Sequence, residues 1–148
     1  MKTKKIVIFI VILIIALIGS AIYLGVTSMK KSKYTKADEY SVGGVSFPSV
    51  KKVVEEKKVT KYHYEKTNYE LLELTFKDSD NQNTVEKYIG YIKDNGNYID
   101  EKTEDEKVRK IIGTADEGLI TVETKLISDG FVLTIAVGEG NVQINPME

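Results

Sequence analysis

The chain has no cysteine and no tryptophan, a single histidine and two prolines. Without cysteine there is no disulfide framework, no lipid-modified cysteine anchor and no cysteine-based zinc site. One histidine, His63, cannot supply the remaining ligands of a usual zinc set. The first 36 residues contain no acid. They hold seven of the 21 basic residues, which leaves 14 basic against 22 acidic residues, a net of −8, for the remainder. That balance disfavours nucleic acid as a partner, because phosphate binding needs a basic face. A pilin-type leader would carry a Glu early in its apolar run, and none occurs there.

What is present is dominated by Ile6–Val26, a run of 21 residues with no charge and no proline. As a helix it would span roughly 31 Å, close to the hydrocarbon thickness of a bilayer. A helix satisfies its own backbone, which lipid requires of a single spanning segment. Tyr23 sits near its end, where an amphipathic ring favours the headgroup level. The competing reading is a cleaved signal peptide: a basic Met1–Lys5, an apolar Ile6–Ile18, and Gly19-Ser20-Ala21 as the processing triplet. Apolar residues continue past the triplet at Ile22, Leu24 and Val26, which favours retention. Lysines flank both ends, so charge alone gives little orientation. The position of the run at the start of the sequence favours an N-terminus inside and a domain outside.

The expected organisation is a basic cytoplasmic tag (1–5), a transmembrane signal anchor (6–26), a tether (27–44) and an extracytoplasmic domain (45–148). The tether is polar, shows no helical periodicity and ends in Gly43-Gly44. Lys30, Lys31, Lys33 and Lys36 would lie near the lipid, either as a topology flank or as contacts to an anionic surface.

Within the domain, Ser49 is placed to cap a helical turn carrying Val50, Val53 and Val54. Residues 58–65 alternate in strand fashion, and Tyr69–Lys77 places Leu72, Leu74 and Phe76 on one face. These two form a hairpin across Lys66-Thr67-Asn68. The best helix runs from Thr84 to Asn95, with Val85, Tyr88, Ile89 and Ile92 on one face. Asn83 and Glu86 resemble a capping box. A short strand at Tyr98-Ile99 and strands at Val108–Ala115, Leu119–Ile127 and Phe131–Val137 follow. Asp129-Gly130 favours the positive φ of a tight hairpin. The predicted class is α+β, an antiparallel sheet with one main helix on one face, preceded by a single transmembrane helix.

Three strings carry a resemblance: Phe47-Pro48-Ser49-Val50, Tyr88-Ile89-Gly90-Tyr91-Ile92 with Asn95-Gly96, and Ala115-Asp116-Glu117-Gly118. Over roughly residues 45–140 the chain resembles a group of uncharacterised small bacterial domains, exported or membrane-anchored, mostly from low-GC Gram-positive-like genomes. This implies class and location, and no activity or site.

No residue set points to catalysis. His63 lies between two tyrosines on an expected strand, and no Gly-x-Ser-x-Gly elbow accompanies it. Asp78-Ser79-Asp80-Asn81-Gln82 begins like a calcium loop, but Asn83 stands where glycine is required and Ile89 where Glu is required. Glu101, Glu104, Asp105 and Glu106 read as a solvated acidic loop rather than a fixed carboxylate pair. Tyr62, Tyr64, Tyr88 and Tyr91 are candidates for a contact face, although Tyr88 is needed in the core. The expectation is therefore no catalytic, cofactor or metal site, and no cofactor. The expected role is a non-enzymatic, membrane-anchored binding module. Its partners are the bilayer and a basic or neutral protein, peptide or envelope polymer, with no nucleic acid. The alternatives are a secreted protein with a cleaved signal, a small envelope enzyme, and a membrane-complex subunit acting through its apolar segment.

Overall fold

Strand carries about half of the chain described by the computed structural model, which covers residues 27–116 and 118–139. The elements are α1 (27–36), β1 (Glu39–Val42), β2 (Val45–Pro48), α2 (Val50–Val53), β3 (Lys58–Lys66), β4 (Tyr69–Lys77), α3 (Asn81–Asp94), β5 (Tyr98–Glu101), β6 (Val108–Ala115), β7 (Gly118–Ile127) and β8 (Gly130–Gly138). The expected α+β class is corrected by this inventory. With 51% strand and one main helix, the described chain is a small β-rich domain. Among the described residues no helix is long and apolar enough to cross a membrane. The predicted transmembrane helix at Ile6–Val26, the basic tag and the Gly19-Ser20-Ala21 triplet lie outside the described residues.

Part of the difference arises in 27–44, expected as a polar tether. Residues 27–36 are helical, and Glu39–Val42 pairs with Val45–Pro48. Tyr40 and Val42 alternate with exposed Glu39 and Ser41 and are buried in the core. Period-two burial over only four residues is too short to stand out from a polar sequence. The two glycines between the strands, Gly43 and Gly44, have φ of 56° and 75°, which a two-residue hairpin turn requires.

The main sheet has the order β3-β4-β8-β7-β6-β5, with every neighbouring pair antiparallel. Its registers align Tyr64, Leu72, Ile135, Val122 and Ile111 in one row across five strands. That row belongs to the face covered by α3, through Val85, Tyr88, Ile89 and Ile92, and by the β1–β2 hairpin, through Tyr40, Val42 and Phe47. All of these except half-exposed Tyr64 form one core. The Tyr88 hydroxyl donates to the Pro48 carbonyl at 2.8 Å, joining α3 to β2 inside it.

Helix α3 begins three residues before the expected Thr84 and ends at Asp94 rather than Asn95. The Asn83–Glu86 capping box does not form. Asn83 instead donates to Asp80 at 2.8 Å, and Asp80 is the N-cap residue. The earlier start has a tertiary cause: Asn81 Nδ2 donates to the Ile127 and Gly130 carbonyls at 2.8 and 2.7 Å. Gly130 is not in the positive-φ region expected for it. A Cβ there would stand 1.8 Å from the Phe76 carbonyl oxygen, so the residue is glycine because two backbones meet closely.

Helix α1 lies along edge strand β3. The Val59 amide donates to Thr35 Oγ1 at 3.0 Å, and the Tyr34 and Tyr62 rings are 5.7 Å apart. Lys30 Nζ lies 5.8 Å from the Tyr62 ring centre. Later helix residues therefore meet earlier strand residues, and α1 runs antiparallel to β3. Its first described residue, Thr27, lies at the end of the sheet that carries Tyr64, the β3–β4 turn, the Gly43-Gly44 turn and Gly138. This is called the near end below. The far end carries residues 78–80, the β7–β8 turn and the 102–107 loop. It is knitted by hydrogen bonds from Asp78 N to Asp129 O and from Leu126 N to Lys107 O, each 2.9 Å.

Candidate functional site

Where α1 meets β3, a groove of about 500 Å³ opens at the near end. Lys30 and Lys31 line it from the helix, and Lys61, Tyr62, His63 and Tyr64 line it from the strand, with Thr27 at its end. Among the described residues no acid lines it. Strand alternation sends Lys61 and His63 to one face of the sheet and Tyr62 and Tyr64 to the other, so the groove straddles the sheet edge. Among the described residues Lys30, Lys31 and Lys61 form no ion pair. Behind Tyr62, burial and the neighbouring Tyr62 hydroxyl raise the Tyr34 phenol above its ordinary pKa.

The groove borders a second near-end cleft of about 490 Å³, lined in part by Gly43, Gly44, Lys66, Asn68 and Glu70. Glu70 is its organising residue. It accepts from the Gly43 amide and pairs with Lys66 at 3.1 Å. The Gly43 N–H, followed by the Tyr64 hydroxyl and Lys66, holds the Glu70 carboxyl below its ordinary pKa. The Gly43 amide and Lys66 thus both meet Glu70, and this cleft reads as a clamp that fastens the β1–β2 turn to β4.

The far end is acidic and closed. Asp78 is buried, and its Oδ1 takes Lys57 Nζ at 2.9 Å and the Asp80 amide at 3.0 Å. Lys57 also reaches Glu55 at 2.7 Å. Beyond this pair lie exposed Glu56, Glu104, Asp105, Glu106 and Asp129. The face of the sheet opposite α3 bears a ladder of charges in register: His63, Glu73, Thr134, Glu123, Lys110 and Glu101. Burial raises the Glu123 carboxyl above its ordinary pKa, and Glu73 and Glu101 add to this against the opposing pull of Lys110 and Lys125. The row is polar from edge to edge, with buried Thr134 between Glu73 and Glu123 and Lys110 between Glu123 and Glu101.

The residues weighed for chemistry on sequence grounds are dispersed. His63 Nε2 lies 3.5 Å from Glu65 on the same strand. Ser46 donates to Glu39, and Ser49 accepts the Lys52 amide as the cap of α2, so neither is brought to His63. Asp78 and Asp80, the head of the calcium-like loop, serve the start of α3. Glu101 pairs with Lys110 at 2.7 Å, apart from exposed Glu104 and Glu106. Among the described residues no three His, Asp or Glu side chains are grouped to hold a metal ion. The four tyrosines do not share a face: Tyr88 is fully buried, Tyr62 and Tyr64 line the groove, and Tyr91 is exposed on α3.

Sequence reasoning missed the groove itself. Lys30 and Lys31 were visible as near-lipid lysines, but Lys61 lies 30 residues on and joins them only through the packing of α1 on β3. The chain matches no protein-family model, no curated protein and no solved structure. The resemblance of residues 45–140 to small exported bacterial domains thus rests on its short motifs.

Proposed function

We propose that the protein is a single-pass, membrane-anchored extracytoplasmic domain that works by binding rather than by catalysis. Ile6–Val26 would embed in the bilayer, with the N-terminus inside and the β-rich domain outside. The observation that carries this reading is the course of α1. From Thr27, the residue that follows the apolar run, it enters the domain at the near end, opposite the acidic loops. An anchor at residue 26 then leaves Glu104, Asp105, Glu106 and Asp129 pointing away from the bilayer, available to a basic or neutral protein, peptide or envelope polymer. An anionic membrane repels the acidic end and attracts the lysine end, so charge and connectivity favour the same orientation.

Protease treatment of intact cells tests the topology. Digestion of the domain before lysis is expected, and protection until lysis would sink the outside assignment. Photo-crosslinkers placed at Glu104 and at Asn68 test the binding end. Adducts are expected from Glu104, and their confinement to Asn68 would reverse the assignment of the partner-facing end.

A further inference from the structure

We propose that the α1–β3 groove is a binding site for anionic phospholipid headgroups of the bilayer that anchors the chain, a reading that rests on the membrane anchor proposed above. Lys30, Lys31 and Lys61 supply the charge, and Tyr62 and Tyr64 supply amphipathic walls.

Three observations converge on this occupant. First, position: Thr27 follows Val26 directly, and Lys30 and Lys31 lie four and five residues past the apolar run. In helical geometry that is about 6–8 Å along the axis, at headgroup depth for a run that ends at the hydrocarbon boundary. Second, charge: among the described residues no acid lines the groove and its three lysines have no carboxylate partner, in a chain whose residues after 36 carry a net of −8. Lys51, Lys52, Lys57, Lys66, Lys93 and Lys110 each hold a carboxylate. Lys30, Lys31 and Lys61 differ from the other lysines without an ion pair in lining one groove together. Third, chemistry of the walls: Tyr64 is 46% exposed and lies beside the charge cluster. Tyrosine with one wet end is the side chain that partitions to the membrane interface.

The lysines have separate roles. Lys30 sits over the Tyr62 ring, which holds its ammonium toward the groove instead of leaving it to wander. Lys61 comes from the strand and makes the site three-dimensional, so a headgroup phosphate is approached from two elements. The consequence is orientation. A domain hung on a single segment would swivel, whereas a headgroup gripped at the near end keeps the acidic far end directed outward.

The test uses the full chain in phosphatidylcholine vesicles with and without phosphatidylglycerol. Because the chain has no cysteine, a single introduced cysteine carries a fluorophore. Thr67→Cys reports the near end and Ser128→Cys the far end, with quenching by lipids spin-labelled at the headgroup. Phosphatidylglycerol is expected to raise quenching at residue 67 several-fold and leave residue 128 unchanged, with the increase reversed by salt. Each lysine at an anionic surface multiplies binding by about five, so Lys30→Gln, Lys31→Gln and Lys61→Gln together should weaken the phosphatidylglycerol-dependent grip about a hundredfold. The charge-matched set Lys87→Gln, Lys102→Gln and Lys107→Gln should not. Equal quenching with and without phosphatidylglycerol, or an unaltered response in the groove variant, would overturn the groove while vesicle flotation still upheld the anchor. Flotation with neither vesicle type would sink both proposals. Flotation only with phosphatidylglycerol, abolished in the groove variant, would uphold the groove and sink the anchor. Suppression by sodium phosphate beyond a chloride control of equal ionic strength would overturn the lipid assignment in favour of free phosphate.

Discussion

At the far end of the sheet Asp78 meets Lys57 with almost no water, the Phe76 and Phe131 rings stack 4.9 Å apart, and Asn81 laces α3 to the β7–β8 turn. At the near end, turns and strand ends gather around open clefts, and three lysines line one of them without an ion-pair partner among the described residues. Both ends belong to the same strands, so strand propensity does not explain the contrast. Burial of polar groups does. A buried acid is tolerable only with its partners fixed, which makes the far end rigid by necessity. Exposed lysines cost nothing to leave unpaired and remain available to a ligand.

The sharpest way to break that contrast is to remove the far end's packing. Phe131→Ala deletes a fully buried ring and half of a stacked pair. A loss of about 3–5 kcal/mol is expected, read as a lower denaturation midpoint at unchanged slope. A loss under about 1 kcal/mol would show that the far end is not the folding anchor.

Next in size is Lys57→Met, which strands a carboxylate whose side chain is 2% exposed. About 2–4 kcal/mol is expected, short of the largest buried-pair losses because the Lys57 side chain keeps 13% exposure and Asp78 keeps the Asp80 amide. Burial pushes the Asp78 carboxyl up, but hydrogen bonds from Thr84, Lys57 and the Asp80 amide outweigh it and leave its pKa lowered. A carboxyl with a lowered folded pKa stabilises above its unfolded pKa and loses that contribution as pH falls through the folded one. The gap between wild type and Lys57→Met should therefore narrow in acid below the ordinary carboxylate range. A gap that stays constant down to full protonation would assign the loss to packing.

Between the ends stands Tyr40, 2% exposed, whose hydroxyl accepts the Val50 amide at 3.2 Å. Burial pushes its phenol up to about 12, against an opposing effect of the Val50 hydrogen bond. With the folded pKa above the unfolded value near 10, its stabilising effect is complete below about pH 10 and is lost as pH rises toward 12. That loss is roughly 2–3 kcal/mol. Tyr40→Phe should flatten the alkaline part of the stability profile, and an equally steep profile would shift the effect to Tyr88, whose phenol burial also raises.

These contrasts were unequally legible in the sequence. The β3–β4 hairpin was, because Leu72, Leu74 and Phe76 alternate over a full nine-residue strand. The apolar face of α3 and the Ser49 cap of α2 were legible for the same local reason. The start of α3 was not, since Asn81 is recruited by carbonyls 46 and 49 residues away. Residues 27–44 looked like a tether because α1 carries little apolar patterning and is held by Thr35 and Tyr34 on β3. The groove joins residues from those two elements, so it inherited the same blindness. The class shifted from α+β to β-rich because β1 was hidden in that segment and its partner β2 just after it, while the helical part stayed at one main helix.

At the near end Glu70→Gln removes charge from the clamp on the Gly43 amide and Lys66. About 1 kcal/mol is expected. The amide of Gly43 should exchange faster while those of Phe76 and Phe131 keep their protection, because the clamp opens locally. Glu70 has a lowered pKa, so its contribution too is present above the carboxylate range and lost in acid. Loss of protection at both ends together would mean that the two ends unfold as one unit.

The smallest expected effect sharpens the contrast most. Lys30→Gln, Lys31→Gln and Lys61→Gln together should change the unfolding free energy by no more than about 0.5 kcal/mol, the size of an exposed cation–ring contact at Lys30. No ion pair among the described residues is broken. Three substitutions that leave denaturation unchanged yet abolish the response to anionic lipid would separate the near end's role from folding altogether. A stability loss of about 2 kcal/mol would instead make these lysines part of the α1–β3 joint, and the near end would then differ from the far end only in degree.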